Sequence, residues 1–405
     1  MAEANKPSWL TVNQAWQQLA EAAPLAELEK HLVSINQAIG KTLAESPVSL
    51  INVPPADNSA MDGFAVCLAD CNTDQQYSIS QRIPAGAKTS PLLPGTVARI
   101  FTGSEIPENA DTVIIQEHAN YDDNQASFSK LPEPGANIRR SGEDIAQHQP
   151  LLPVGHRIRP QDVGLLAAAG IAEVCVYRPL SIALVATGDE LVEPGIPLSA
   201  GKIYESNSHM LAPLLTGLGY QISIHRCEDD PEQTRQTLLN AAEQCDVIIT
   251  IGGVSVGEED HVKNALEQLG SINFWKIGLK PGKPFVLGHI DQTPVLGLPG
   301  NPVSAFLTCC LFCKPFLRVM QGSEFRIPQH WNAIADFDRP KPDARQQYLR
   351  GKFNDGKASL LAKQSSAVMT SLCEADVLVI IPAETPVKKG DLLQVISLLE
   401  LVNYS

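Results

Sequence analysis

Residues 245–307 read CDVIITIGGVSVGEEDHVKNALEQLGSINFWKIGLKPGKPFVLGHIDQTPVLGLPGNPVSAFL, and this stretch decides the fold. It opens with a short β-branched apolar run, Asp246 to Ile251, that ends abruptly at Gly252-Gly253. This pattern is typical of a parallel strand buried on both faces. The glycines remove Cβ atoms where a ligand must come close, and a following helix would offer free backbone N–H groups. The turn therefore predicts a site for a phosphate-bearing ligand.

Charged residues flank the helix predicted after this turn. Carboxylates cap helices or hold hard cations, and three stand at the helix start: Glu258, Glu259 and Asp260. Three lysines then fall in a proline-stiffened loop that suits an oxyanion: Lys276, Lys280 and Lys283. A second Gly/Pro-rich turn, Gly297–Pro302, again separates an apolar strand from a helix. One such turn alone is more often an ordinary tight turn, but together these features predict a ligand site at the carboxyl edge of a sheet.

The composition indicates a globular protein of several domains. A chain of 405 residues is too long for one ordinary core and should form about three or four domains. The net charge of −14 argues against nucleic acid as a partner, because backbone-phosphate binding needs a basic face. No apolar run approaches the ~20 residues of a membrane span, and no signal-peptide core opens the chain. We therefore expect a cytosolic protein.

The cysteines predict no metal site. Cys310-Leu-Phe-Cys313 has the spacing of a metal-binding pair, but it lies inside the largely apolar run Ala305 to Val319 and has no second pair. We interpret these residues as reduced thiols in the core of a cytosolic protein.

The N-terminal part predicts helices. Apolar residues recur at helical spacing over residues 11–46, with a break at Pro24 and an end at Pro47. The second half, Leu25 to Leu43, continues this spacing and favours a second helix. The segment carries no pattern of chemical groups, so we interpret it as a packing or dimerisation arm.

From Val48 to about Ile145 the pattern changes to short strands between prolines and glycines, which predicts an all-β module. The predicted strands are Tyr77 to Ile83, Thr96 to Thr102 and Asp111 to Gln116. Before the first of them, the loop DNSAMDG holds two carboxylates, an amide and a hydroxyl close together. As a bare motif this loop is more often an Asx-rich turn than a functional site. The pair Arg139-Arg140 is a candidate anion ligand or an ordinary solvated face.

The segment after the β module predicts a helix at Gln161 to Ala169. We expect this helix to pack with residues 11–46 in one unit, so that the β module is an insertion in that unit. Strands beginning near residues 181, 221, 246, 272 and 294 then alternate with helices and predict a doubly wound sheet. Asp189-Glu190 follows the first strand, where a carboxylate pair suits Mg²⁺ or simply forms a surface turn.

Two helix starts in this region carry polar caps. Ser206-Asn207-Ser208 precedes a predicted helix from His209 to Leu218, and its N–H groups face the same sheet edge. Asp229-Asp230-Pro231 caps a helix that ends near Cys245. Beyond Pro328 a small β domain is predicted, with these conspicuous polar residues: Arg345, Arg350, Ser365 and Ser366.

Five motifs in fixed order give the chain a resemblance to molybdopterin molybdenumtransferases, the bacterial molybdenum-insertion enzymes that are similar to the C-terminal domain of gephyrin. They are DNSAMDGFAV (57–66), TGDEL (187–191), GGVSVGEED (252–260), KPGKP (280–284) and GLPGNP (297–302). The resemblance implies a helical linker domain, an inserted β domain, an α/β molybdopterin-binding domain and a C-terminal β barrel. The corresponding ranges are 7–46 with 146–177, 47–145, 178–326 and 327–405.

The resemblance also implies the reaction. Adenylyl-molybdopterin and molybdate would give molybdenum cofactor and AMP with the help of Mg²⁺. The cleft would form between the α/β domain of one subunit and the inserted domain of the other in a homodimer. The adenylyltransferase that precedes the enzyme in the pathway is a candidate partner.

The family's functional residues fall on definite positions of this chain. The catalytic acids and threonine are Asp62, Thr102, Asp144, Glu190, Asp229 or Asp230, and Asp260. Of these, Glu190 and Asp260 would place Mg²⁺. Substrate-binding positions are Ser208, Gly252, Gly253, Ser255, Gly257, Lys280, Lys283, Pro299 and Pro302. Arg350 and Ser366 match molybdate-contacting positions.

Two other functions remain open at this point. The α/β domain is shared with molybdopterin adenylyltransferases, although the extra β modules and the DNSAMDG loop speak against that reaction. Gephyrin uses the same architecture as a receptor scaffold, but this chain shows no fused second module or long linker.

Overall fold

The computed structural model describes residues 9–73, 75–254 and 261–403. Three predicted site residues, Ser255, Gly257 and Asp260, lie outside these ranges. The N-terminal helix α1 (Val12–Ala22) begins with a capping box, in which Thr11 accepts from the Gln14 N–H. Its apolar face joins the core of the α/β region, and the Trp16 Nε1 donates to the Leu311 carbonyl at 2.7 Å.

The second predicted N-terminal helix is wrong. Residues Lys30–Ser34 form strand β1, followed by a 3-10 turn at Ile35–Gln37. Strand β1 pairs antiparallel with a strand at Glu173–Tyr177 that lies far away in the sequence. The apolar residues Leu25 and Leu32, which the helical spacing placed on a buried face, are 64% and 66% exposed.

The inserted module is all-β, as predicted. Its strands are β2 (Asn58–Ser59), β3 (Gly63–Val66), β4 (Gln76–Ile83), β5 (Thr96–Ile100), β6 (Thr112–Ile115), β7 (Ala119–Tyr121), β8 (Gln125–Phe128) and β9 (Ile138–Arg139). In the described part, six of them form one sheet in the order β6-β3-β5-β4-β8-β7, and β2 pairs with β9. The chain then returns through α2 (Pro160–Ala168) and β10 (Glu173–Tyr177), the partner of β1.

The α/β region follows directly. Its strands are β11 (Ser181–Thr187), β12 (Leu191–Val192), β13 (Ile203–Tyr204), β14 (Gln221–Cys227), β15 (Val247–Ile251), β16 (Gly270–Lys276), β17 (Leu279–Lys280), β18 (Pro284–Ile290) and β19 (Thr293–Leu298). Its helices are α3 (Asn207–Gly217), α4 (Pro231–Gln244), α5 (His261–Leu269), α6 (Pro302–Thr308) and α7 (Lys314–Met320).

The main sheet of this region has the order β14-β11-β15-β19-β18-β16 in the described residues. The first four strands are parallel and the last two run antiparallel to their neighbours. Alternate residues of β11 face opposite layers: Ile182 packs with α3 and α6, and Ala183 packs with α4 and α5. This confirms the doubly wound architecture. The antiparallel strand β18 was not predicted, and the short KPGKP connection explains it, because parallel neighbours need a longer crossover.

Helices α6 and α7 are joined through a π-helical segment, Cys309–Cys313, into one continuous helix. By length and composition Pro302–Met320 could cross a membrane, but 94% of its most apolar window is buried inside the protein, as in a core helix. Cys310 and Cys313 are free and buried, which confirms their interpretation as core thiols.

The C-terminal region is a closed five-stranded barrel. Its strands are β20 (Trp331–Ala335), β21 (Gln346–Asn354), β22 (Lys357–Leu360), β23 (Val377–Ile381) and β24 (Leu392–Ser397), with short helices α8 (Met369–Glu374) and α9 (Leu398–Val402). The order β21-β22-β20-β24-β23 closes through pairing of β21 with β23. Strand β17 of the α/β region pairs with β21, which connects the lysine loop to the barrel.

Candidate active site

A cavity of about 710 Å³ opens at the carboxyl ends of the parallel strands. Its lining comes from the ends of β11, β15 and β19, from the connection between β13 and α3, and from Asp229 and Pro284. Ala367 of the C-terminal region completes the wall. This is the sheet edge at which open α/β folds bind ligands, and it is the position that the sequence predicts.

Glycine turns form the floor of the cavity. Gly252 and Gly253 have φ values of +88° and +61°, a conformation that favours glycine. A Cβ on Gly253 would lie 2.6 Å from Val262 Cγ2, and a Cβ on Gly300 would lie 3.8 Å from the Cα of Gly252. The Gly252 N–H donates to the Leu298 carbonyl at 3.0 Å. The two Gly-rich turns therefore abut, and Pro299 and Pro302 of the second turn also line the cavity.

A buried carboxylate stands at the start of α3. Glu205 is 1% exposed, and its Oε1 accepts the Ser208 N–H at 2.8 Å. The predicted cap is therefore supplied by Glu205, since the Ser206 side chain makes no capping bond and the helix begins at Asn207. Sequence reasoning missed Glu205, although a carboxylate just before a helix start was the available signal. Ser208 is buried and does not line the cavity.

Several oxygens at this end of the sheet are buried without a hydrogen-bond partner in the described part of the chain. They are Thr187 Oγ1, Glu205 Oε2, Asn207 Oδ1 and Ser208 Oγ. All of these residues except Ser208 line the cavity. The Asn207 Nδ2, by contrast, donates to the Gly300 carbonyl at 2.7 Å and fixes the second glycine turn. Because native proteins satisfy nearly all buried polar atoms, the oxygens among these that line the cavity make its wall a candidate site for a ligand.

Carboxylates surround the mouth of the cavity. Glu190 is exposed and lines both the main cavity and an adjoining one of about 570 Å³. Asp229 lines both as well, and its N–H donates to Asp189 Oδ1 at 2.9 Å. Asp230 instead caps α4, accepting the Gln233 N–H at 2.7 Å. Between the two aspartates that the sequence left open, the geometry places Asp229 at the cavity.

No three His, Cys, Asp or Glu side chains in the described ranges form a cluster that could hold a metal by themselves. Mg²⁺ seldom needs such a cluster, because it binds through one or two carboxylates together with substrate phosphates. Glu190 at the cavity mouth fits that requirement. The second predicted magnesium ligand, Asp260, lies outside the described residues.

The two predicted lysines, Lys280 and Lys283, are not part of the cavity lining. Lys280 Nζ is 2.6 Å from Asp343 Oδ2 of the C-terminal region. Partial burial opposes ionisation of Asp343, but Lys280 and the Arg345 N–H still hold its pKa below the ordinary value. The Lys283 ammonium lies 5.4 Å from the ring centre of Trp9, a cation–π contact. The next residue, Pro284, does line the cavity.

Arg350 is fully buried inside the C-terminal region. Its Nη2 donates to the Ser365 carbonyl at 2.8 Å and its Nε donates to Ser371 Oγ at 3.2 Å. Burial lowers the pKa of this guanidinium. Its Nη1 is buried with no hydrogen-bond partner among the residues described. The adjoining loop reaches the cavity, because the Ser366 carbonyl accepts the Val303 N–H at 3.0 Å and Ala367 lies in the cavity wall.

Asp62 and Thr102 meet in the inserted module. Both the N–H and the hydroxyl of Thr102 donate to Asp62 Oδ1 at 2.8 Å. These two bonds, the backbone one first, hold the pKa of Asp62 below its ordinary value. Nearby, Arg140 pairs with Asp57 at 2.6 Å, which ties together the loops that carry Asp62 and Asp144. None of the inserted module's described residues lines the main cavity of the same chain.

Three family models match nearly the whole chain in sequence. The "MoeA N-terminal region (domain I and II)" matches residues 10–170, the "Probable molybdopterin binding domain" matches 183–319, and the "MoeA C-terminal region (domain IV)" matches 332–398. These ranges correspond to the N-terminal and inserted parts, the α/β region and the barrel.

Known relatives match over similar lengths. A molybdopterin molybdenumtransferase of Haemophilus influenzae is 39% identical over 360 residues, 88% of this chain and 89% of that protein. A molybdopterin molybdenumtransferase of Bacillus subtilis is 31% identical over 373 residues, 88% and 87% of the two chains. The crystal structure of a molybdopterin biosynthesis protein from Pyrococcus horikoshii superposes with a TM-score of 0.82 at 26% identity, covering 96% of this chain and 100% of that one. The chain therefore belongs to the molybdopterin molybdenumtransferase family.

Proposed function

We propose that this protein inserts molybdate into adenylyl-molybdopterin, releasing AMP and forming molybdenum cofactor with Mg²⁺ as the assisting ion. The relatives' names support a molybdenumtransferase that acts in molybdenum cofactor biosynthesis. One structural observation carries the proposal. The glycine turns at Gly252-Gly253 and Gly300 abut at the carboxyl edge of the sheet, and carboxylates flank the cavity that they floor.

The backbone at the two turns would bind the phosphates of the substrate. Gly252 and Gly253 have no side chains to block close approach, and Pro299 and Pro302 keep the second turn rigid. Ser255 and Gly257 follow these glycines in the sequence and would complete the proposed phosphate site. Glu190 and Asp260 would hold Mg²⁺, which when bound offsets negative charge on the phosphoanhydride. Asp229 adds a third carboxylate at the same mouth.

The positive groups would offset repulsion between the reacting anions. Lys280 ends strand β17, and Lys283 lies between β17 and β18. Lys283 directly precedes the cavity-lining Pro284. Arg350 and Ser366 would receive molybdate, because Arg350 keeps one buried nitrogen for which the described residues supply no acceptor and the Ser366 loop reaches the cavity. Oriented charges of this kind lower a barrier because they need no rearrangement during the reaction.

We also infer that the complete site forms between two subunits of a homodimer. Asp62, Thr102 and Asp144 belong to the inserted module, which contributes no described residue to the cavity of its own chain. A two-fold dimer would let the module of one subunit reach the cavity of the other. Asp62, held in one orientation by Thr102, would then position water or the ion at the partner's cavity.

A direct assay tests the proposed reaction. The protein is incubated with adenylyl-molybdopterin, Mg²⁺ and molybdate, and AMP release is followed together with cofactor formation. We expect both products in equal amounts, and neither without molybdate. In a parallel incubation with ATP and molybdopterin, consumption of these two compounds would instead identify an adenylyltransferase. Failure of both reactions in folded protein would remove the enzymatic proposal.

A further inference from the structure

Glu205 and Asn207 form a pair of acceptors in the wall of the cavity. Glu205 Oε2 and Asn207 Oδ1 are buried, and no residue that the structure describes donates a hydrogen bond to either. The other polar atom of each side chain is already engaged: Glu205 Oε1 with the Ser208 N–H, and Asn207 Nδ2 with the Gly300 carbonyl. These bonds fix both side chains, so that the remaining oxygens are held in place before a ligand arrives.

The charge around Glu205 favours hydrogen-bond donors over a metal ion as the missing partner. Arg226 Nη2 lies 3.7 Å from Glu205 Oε2 and 2.6 Å from Glu193 Oε1. The guanidinium thus places positive charge beside this carboxylate. The same positive charge would repel a cation placed at Oε2. A neutral ring that presents N–H groups meets no such repulsion.

We propose that Glu205, assisted by Asn207, recognises the 2-amino-4-oxo pyrimidine edge of the pterin ring. This inference rests on the proposed function, since it assigns one half of the substrate to one wall of the same cavity. The pterin edge presents N3–H and the 2-amino group side by side, which supplies one donor for each of the two acceptor oxygens. Adenine, the other ring of the substrate, presents one amino group beside ring nitrogens that are acceptors. The two acceptors therefore favour the pterin over the adenine at this wall.

The variant Glu205→Gln isolates this contact. Gln can keep Oε1 on the Ser208 N–H, and it then places an NH₂ donor where Oε2 stood, facing the donors of the pterin. Because a buried donor left without an acceptor weakens binding strongly, we expect the KM for adenylyl-molybdopterin to rise roughly 10- to 100-fold. The pterin edge is unchanged by the reaction, so kcat should stay within about threefold, the pattern of a lost uniform contact.

Glu193→Gln is the matched control. Glu193 also pairs with Arg226, is half-exposed and does not line the cavity. The Glu193→Gln variant removes one negative charge beside the same Arg226 guanidinium. Its KM for adenylyl-molybdopterin should remain that of the unmodified protein. If Glu205→Gln and Glu193→Gln have the same KM, the pterin assignment is wrong. A changed magnesium dependence of Glu205→Gln with an unchanged KM would likewise overturn it in favour of a metal ligand.

A second measurement uses the unmodified protein and so does not depend on the folding of a variant. Inhibition of AMP release is compared for 6-hydroxymethylpterin and 6-hydroxymethyllumazine, in which an oxo group replaces the 2-amino group. We expect the pterin to inhibit at least about tenfold better, because the lumazine presents an acceptor to Glu205. If both compounds inhibit equally, or if neither inhibits, the pterin assignment is wrong. The proposed function is unaffected by that result as long as the unmodified protein turns over its substrate. Absence of turnover in the unmodified protein would instead overturn the proposed function.

Discussion

The cavity in the α/β region and the Asp62 loop of the inserted module are both rich in polar groups, but their hydrogen bonds are distributed differently. Around the cavity, Glu205 and Asn207 hold buried oxygens that accept no hydrogen bond from a described residue. Asp62, by contrast, accepts two bonds from Thr102 within its own module. Acceptors without partners are suited to select a ligand, whereas a carboxylate fixed by its neighbours is oriented in advance. In the proposed function, the cavity binds the substrate and the inserted module supplies an acid that is already held in one orientation.

The largest effect is expected at the cavity mouth. Glu190→Gln keeps the shape of the side chain but removes the charge that would hold Mg²⁺. We expect AMP release to fall by about 100-fold or more, because the charge of the phosphoanhydride is no longer offset. Glu193→Gln, a nearby carboxylate that does not line the cavity, should stay close to the unmodified rate. Normal turnover of Glu190→Gln at limiting Mg²⁺ would show that Glu190 does not hold the ion.

Mixing two inactive proteins tests whether the two regions work across subunits. Asp62→Asn and Glu190→Gln homodimers should each be inactive, because every cleft lacks one acid. In a 1:1 statistical mixture about one quarter of the clefts keep both acids, so about one quarter of the activity should return. Separation of tagged heterodimers before the assay verifies that exchange has occurred. No recovery in verified heterodimers would contradict a shared site.

A smaller effect is expected in the barrel. Arg350→Lys keeps the charge but loses the fork of donors that reaches Ser365 and Ser371. We expect the KM for molybdate to rise about tenfold and the free energy of unfolding to fall by about 1–3 kcal/mol. Lys352→Arg, which exchanges one cation for another at an exposed position on the same strand β21, is the matched control. If the KM for molybdate is unchanged in Arg350→Lys, Arg350 does not contribute to molybdate binding.

The smallest effect concerns the Asp62 loop and depends on pH. Thr102→Val removes one of two donors that hold the pKa of Asp62 low, so this pKa should rise toward its ordinary value. A larger fraction of Asp62 is then protonated in mildly acidic solution, and the acidic limb of the pH–activity profile should move to higher pH. Near neutral pH the change should be slight. Thr102→Ser, which keeps a hydroxyl, should retain the original profile, and a carboxyl NMR titration of Asp62 reads the pKa directly.

Features encoded in neighbouring residues could be predicted from the sequence. The run Val247–Ile251 followed by Gly252-Gly253 predicts a buried strand and a turn at the ligand edge, because both the periodicity and the glycine conformation are local properties. The N-cap of α4 at Asp230 and the buried position of Cys310 could be predicted from equally short patterns. The family resemblance then supplied the functional positions that single turns left ambiguous.

Features that depend on distant partners could not be predicted. Leu25 to Leu43 carries helical spacing, yet β1 forms within it because Lys30–Ser34 finds its partner at Glu173–Tyr177. The pairing of β17 with β21 likewise depends on the barrel, and it brings Lys280 to Asp343. The sequence marks Glu205 only as a carboxylate before a helix start, and the burial of its second oxygen without a described hydrogen-bond donor depends on the folded chain.

A crystal structure of the protein soaked with AMP, Mg²⁺ and molybdate tests the central claim most directly. We expect electron density for the AMP phosphate against the backbone of Gly252 and Gly253, with the metal ion beside Glu190. Nucleotide and molybdate bound elsewhere, with the turn at Gly252 empty, would contradict it.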